Sequence, residues 1–244
     1  MYQPRTYRNL VEATQLHAYR VVVKETDLMV YTATMLAAET RDLVLEHRGY
    51  VEAFIKSHPD FAEALIPWQF DGPAPGIIMN MLNAARNAGV GPMAAVAGAI
   101  AEQVGYGLLK LTDQVIIENG GDVFIKTNSA ATVGIFAGKS PLSLRIGIRL
   151  NSRSKPEAVC TSSGTIGHSL SFGKADAVCV VADSCSIADA AATSICNFID
   201  SPADIDEAIK AGRRMAELRG IVVIVGEKIG MWGDLEVVAL TERP

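Results

Sequence analysis

"QVIIENGGDVFIKT", residues 114–127, reads as two apolar β-runs joined at Gly120-Gly121. Asn-Gly and Gly-Gly both tolerate the positive φ of a tight hairpin turn. The two runs are therefore antiparallel neighbours. "AYRVVVKETDLMVYT" (18–32) repeats the pattern around a polar "KETD" centre. "TVGIFAG", "SLRIGIRL", "EAVCTSS" (157–163) and "DAVCVVAD" (176–183) read as further strands. The tail, "IVVIVGEKIGMWGDLEVVAL", reads as two strands.

Helical segments alternate with these runs. "LAAETRDLVLEHRGYVEAFIKSHPDFAEAL" (36–65) is rich in helix formers and is broken at His58-Pro59. "PWQFDGPAPG" (67–76) is a loop, and residues 77–111 are helical with a cut near "GVGP". "SPADIDEAIKAGRRMAELR" (201–219) is expected to be one amphipathic helix, with Ser201 as N-cap before Pro202. Frequent hairpin signals mixed with helices predict an α+β fold with a largely antiparallel sheet. Residues 1–244 are expected to form one domain.

Bulk composition narrows the function. The chain has 244 residues, 49% hydrophobic and 20% charged, which is a globular composition. A net charge of −5 and the lack of a dense basic run argue against a nucleic-acid binder. No stretch approaches the length of a membrane span or resembles a secretion signal, so a cytoplasmic location is expected. The four cysteines, Cys160, Cys179, Cys185 and Cys196, contain no CxxC pair and read as reduced, buried thiols.

Polar chemistry sits in apolar company at three places. In "ENGGD" (118–122), the turn is either only a turn or a place where a ligand approaches bare backbone beside Asp122. "TSSGTIGHSLSFG" (161–173) is either a surface loop or an anion nest of backbone N–H groups and hydroxyls. Its His168 is a candidate general base. In "SIADAAATSICN" (186–197), Ser186, Asp189, Thr193 and Asn197 share one helix face. Ser186 and Asp189 suit a local capping box, which leaves Thr193 unexplained. Asp189 and Thr193 together offer two hard oxygens of the kind Mg²⁺ accepts.

Taken in order, "AVAGAIAEQVG", "IIENGGDVFI", "VCTSSGTIGH" and "ADSCSIADAAATS" resemble the motif series of the ApbE superfamily, the FAD:protein FMN transferases. The resemblance spans roughly residues 94–197 and points to the superfamily's short cytoplasmic branch. It implies a T-fold-like α+β architecture, Mg²⁺, and FAD or FMN as cofactor. By matching position, it implies metal contacts from Asp189, Thr193 and a carbonyl near Ala99. It implies nucleotide contacts from Asn119, Gly120, Gly121 and Asp122, and from Thr161, Ser162, Ser163 and Gly164. His168 matches the base that would act on an acceptor hydroxyl.

Two departures stand out. Glu102 replaces the lysine of the first motif, and "HSLSFGKAD" lacks the family's acid and proline after the histidine. One reading is thus a Mg²⁺-dependent enzyme acting on FAD, with a protein acceptor. The alternative is an accessory protein that binds a nucleotide or other anion and assists a partner enzyme in sulfur assimilation and homocysteine formation. The small-residue helices suggest a homodimer.

Overall fold

The computed structural model describes residues 16–165 and 173–240. A hairpin of β1 (His17–Val23) and β2 (Thr26–Thr32) opens the described chain. Helix α1 (Ala37–Ser57) and the short α2 (Asp60–Glu63) are separated at His58-Pro59, where the sequence places the break. Helices α3 (Gly76–Ala88) and α4 (Val96–Leu108) follow. Gly89, at φ 72°, closes α3 in the left-handed conformation that a glycine cap supplies.

Next come β3 (Val115–Asn119), β4 (Asp122–Lys126), β5 (Ala131–Gly134), β6 (Ile146–Leu150), β7 (Glu157–Ser162) and β8 (Ala177–Ala182). Helix α5 (Cys185–Asn197) and helix α6 (Ile205–Gly212) precede β9 (Leu218–Val225), β10 (Lys228–Gly233) and β11 (Glu236–Ala239).

Eight strands form one sheet in the order β1-β2-β3-β4-β7-β8-β9-β10, antiparallel at every step. A second, three-stranded antiparallel sheet has the order β11-β6-β5. The two sheets and the helices make three layers. Ile117, Phe124, Cys160, Val180 and Val223 point from the large sheet into the helices. Their neighbours Ile116, Ile125, Val159, Val181 and Val222 point into the second sheet. Both faces of the central strands are therefore dry, which is why β8 reads as the unbroken run AVCVVA with every residue buried. Each fully buried Ile or Val there contributes roughly 1.5–3 kcal/mol.

Two sequence expectations are corrected. The segment 201–219 is not one helix: a 3-10 turn at Pro202–Asp204 leads into α6, which ends at Gly212. A Cβ at Gly212 would lie 2.7 Å from the Ile195 side chain, so α6 packs tightly there, and Glu217 then reverses the chain at φ 74° to start β9. Ser201 does cap this segment, accepting from the Ala203 N–H in a capping box with Asp204. The tail forms three strands, because the short β11 crosses to the second sheet and pairs with β6. No helix of the described residues is long and apolar enough to cross a membrane.

Candidate functional site

The site begins with the β3–β4 turn. Gly120 and Gly121 have φ of 71° and 114°, the double positive value that a two-residue hairpin of this twist demands. The Gly121 N–H donates to Glu118 Oε1 at 3.0 Å, which fixes the turn from below. A Cβ on Gly121 would stand 3.3 Å from the Thr161 carbonyl, so the turn lies against the end of β7. Asn119 Nδ2 donates to the Ala97 carbonyl at 2.9 Å and ties the turn to the first turn of α4. Asp122 is buried on the helix-facing side, opposite Cys160 in the register.

Helix α4 starts at a residue with no capping side chain, Ala95. Its cap comes from α5: Asp189 Oδ2 accepts the Gly98 N–H at 2.9 Å. The service is returned. Glu102 Oε2, on α4, accepts Ser184 Oγ at 2.9 Å, the Ser186 N–H at 2.9 Å and Ser186 Oγ at 2.8 Å. Each helix N-terminus thus meets a carboxylate from the other, where its dipole favours negative charge. The local capping box at Ser186 is corrected: Ser184 is the N-cap, and Asp189 turns away from its own helix start. Glu102, where a lysine was expected, is a structural carboxylate. Glu102→Ala leaves three donors at the start of α5 without their acceptor, the two of Ser186 buried, and should cost about 3 kcal/mol in urea unfolding.

The electrostatics follow from this packing. Burial pushes Asp189 up to about 7, against the opposing pull of the Gly98 and Ala97 N–H groups. Burial first, and then the neighbouring Asp189 charge, push Asp122 well above the usual carboxylate range. Asp122 Oδ1 has no hydrogen-bond partner among the described residues. None of the leading influences on either carboxyl is a cation. A paired, desolvated carboxylate set with an orphaned oxygen is the donor chemistry that fits a hard divalent cation such as Mg²⁺. Thr193 lies one turn beyond Asp189 on α5 and is buried. Ala99 is fully buried inside α4, where its carbonyl points along the helix toward the residue four on. Among the described residues, no three His, Cys, Asp or Glu side chains are grouped to hold a metal. A cation here would need hydroxyl, backbone or ligand oxygens as well.

The 161–165 segment divides between the two faces of the sheet. Thr161 faces the second sheet, its Oγ1 3.0 Å from Cys179 Sγ. Ser162 is buried, on the same side of β7 as Cys160. Ser163 Oγ accepts the Thr165 N–H at 3.1 Å, a local turn that orders the start of the loop. A Cβ on Gly164 would overlap the Gly173 carbonyl, and one on Gly173 would overlap the Cys196 carbonyl. Backbone contact therefore anchors both loop ends near the C-terminal part of α5. His168 lies outside the described residues.

All four cysteines are buried, and none forms a disulfide among the described residues. Cys160 Sγ is 3.5 Å from Cys185 Sγ and donates to the Cys185 carbonyl at 3.4 Å. Burial pushes Cys179 up to about 12 and Cys160 well above the usual thiol range. The Cys160 hydrogen bond pulls Cys185 down, but burial and nearby carboxylates hold it at about 11. The thiolate is the reactive form. Iodoacetamide at mildly alkaline pH should therefore leave all four unlabelled in the folded protein and label them fully in urea, as read by intact mass.

The sequence missed three functions that depend on distant partners: the Asn119 amide on α4, the Glu102 cap on α5, and the Asp122–Asp189 proximity. Only the last had a local signal, two acids in separate glycine- or alanine-rich motifs.

The family described as "AbpE bacteria" matches residues 8–231. A UPF0280 protein of Methanococcus vannielii is 37% identical over 235 residues, covering 94% of this chain and 95% of that protein. The solved ApbE protein of Thermotoga maritima superposes with a TM-score of 0.54 at 15% identity, over 88% of this chain and 96% of that one. The apo flavinyl transferase ApbE of Pseudomonas stutzeri superposes with a TM-score of 0.52 at 12% identity, over 89% and 94%. These structural likenesses bear on the fold: the helix-covered, largely antiparallel sheet is an ApbE-like arrangement.

Proposed function

Because the chain belongs to the family described as "AbpE bacteria", we propose that it is a Mg²⁺-dependent flavin-nucleotide-binding protein that cleaves the pyrophosphate of FAD and passes FMN to an acceptor. The observation that carries this reading is buried Asp122, with an orphaned oxygen, set beside half-buried Asp189 at the glycine turn. Asp189 and Thr193 would hold the cation, with Asp122 as the further carboxylate and Ala99 as the backbone position to test. Bound there, Mg²⁺ supplies charge neutralisation and polarisation of a phosphoryl oxygen. The chain's own groups do the rest. Asn119, Gly120 and Gly121 offer a close backbone approach to the nucleotide. Of the 161–164 segment, Ser162 and Ser163 offer hydroxyls to its phosphates, whereas the Thr161 hydroxyl faces the second sheet and the Gly164 N–H is held by the Ala175 carbonyl. His168 takes the proton from the acceptor hydroxyl, whether of a protein or of water.

Purified protein incubated with FAD and Mg²⁺ should release AMP, read by chromatography, with FMN either free or covalently attached to an acceptor. Failure of FAD to bind in the presence of Mg²⁺ would overturn the reading.

Glu102 favours a second reading. Its commitment to the α5 cap puts a negative charge where the resembling motif carries a lysine. An accessory protein of sulfur assimilation that holds a flavin nucleotide or other anion for a partner enzyme accommodates that change. Calorimetric binding of FAD with no product over hours selects it.

A further inference from the structure

A cleft of about 380 Å³ opens between α3, the start of α5 and the loop before β9. Asn80, Asn83 and Asn87 line it from α3 together with Arg86, and Glu102 and Glu217 face them. Steps of three and four along α3 place its four polar residues on one side of the helix. Ser184 and Ile187 of α5 complete the lining.

The bonding state of this set is informative. Glu102 is only 6% exposed, and all three of its hydrogen bonds converge on Oε2. Its Oε1 has no partner among the described residues, although the side chain lines the cleft. Arg86 makes no ion pair with Glu102 or Glu217, and the side chains of Asn80, Asn83 and Asn87 are likewise unbonded among the described residues. The second oxygen of this carboxylate opens onto the cleft, where it can accept from a ligand donor. Charges of both signs line one small space without neutralising each other.

We infer that this cleft is a binding site for a small zwitterion of the α-amino-acid class. The ammonium sits at Glu102 Oε1 and Glu217, and the carboxylate at Arg86 with asparagine amides on its free lone pairs. A purely anionic ligand would face two carboxylates, and a purely cationic one would face the Arg86 guanidinium. Amide side chains offer both donors and acceptors and serve either end. Ile187 is the one apolar side chain of the lining, which suits a short ligand side chain. The volume lies at the small end of ligand sites. The cleft adjoins the end of α4 used in the flavin reading, but Arg86 and Glu217 take no part in that reading. Gly98, where Asp189 binds, is four residues from Glu102, about 6 Å along α4.

The test is a calorimetric and thermal-shift titration of the full chain with glycine, L-alanine, L-serine and L-aspartate, beside methylammonium and acetate alone. At least one amino acid should bind and raise the melting temperature, with neither fragment matching it. Arg86→Gln and Glu217→Gln should each weaken that binding by roughly tenfold or more. Both side chains are exposed and without side-chain partners among the described residues, so both variants should fold with an unchanged melting temperature in the absence of ligand. FAD binding should be unchanged in both. The inference is overturned if no amino acid binds, if methylammonium or acetate alone binds as well, or if neither substitution weakens binding.

Discussion

Gly98→Ala is expected to destabilise the protein by about 3 kcal/mol, whereas the same change at Gly49 should stabilise it slightly. Glycine costs a helix interior about 1 kcal/mol relative to alanine, so propensity alone favours both substitutions. Space decides between them. At Gly49, on the exposed side of α1, an added Cβ meets nothing within 4 Å. At Gly98 it would overlap the Cys185 carbonyl oxygen and lie 2.8 Å from Asp189 Cβ. A carbonyl in the first turn of α5 cannot rotate aside as a flexible side chain can, so α4 and α5 must separate. Separation also stretches the Gly98–Asp189 and Glu102–Ser186 bonds, which brace the two helix starts together. Urea unfolding of the two variants beside the wild type measures the opposite signs. Equal destabilisation at both positions would show that helix packing at Gly98 is not the limiting contact.

What the sequence made legible is what local chemistry decides. Gly120-Gly121 declared a hairpin because only its φ values suit that turn, and His58-Pro59 declared a helix break because proline clashes with the preceding turn. The alternation of β3, β4 and β7 was readable for the same reason. The failures have a common cause in partners distant along the chain. The stretch "AGRRMAELR" has helix-forming residues, yet α6 stops at Gly212, and Leu218 is drawn into the sheet by pairing with Ala182. The tail's third strand exists because β6 offers an edge to it. The site shows the same division. Asp189 was singled out by its spacing to Thr193, but the group it holds, the Gly98 N–H, lies 91 positions away. Glu102 looked like a lost lysine, and its role emerged only when α5 was laid beside α4. Thr161 and Ser162 are adjacent in sequence, but strand alternation sends them to opposite faces of the sheet.

Asp189→Asn is expected to abolish Mg²⁺ dependence and to lower FAD turnover by roughly a hundredfold or more, the scale of losing a metal's stabilisation of phosphoryl charge. Asparagine keeps an oxygen able to accept the Gly98 N–H, so the α4 cap survives while the charge goes. Asp189→Ala removes both and should in addition lower the melting temperature. The pair of variants separates a metal-binding role from a capping one. The pH dependence of stability gives an independent reading. In the folded protein Asp189 stands at about 7, above its unfolded value near 3.9. A raised carboxyl contributes stability that is fully present below the unfolded value and is lost as pH rises through about 7. Asp122 is shifted in the same direction and steepens the trend. The metal-free wild type should therefore lose melting temperature between pH 4 and 7, and Mg²⁺ should restore it by binding the ionised pair. Asp189→Asn should flatten the slope and remove the Mg²⁺ effect together, because the proton and the cation compete for the same carboxylate. A variant that kept the wild-type Mg²⁺ shift would place the cation elsewhere, and with it the phosphate chemistry proposed for this end of the sheet.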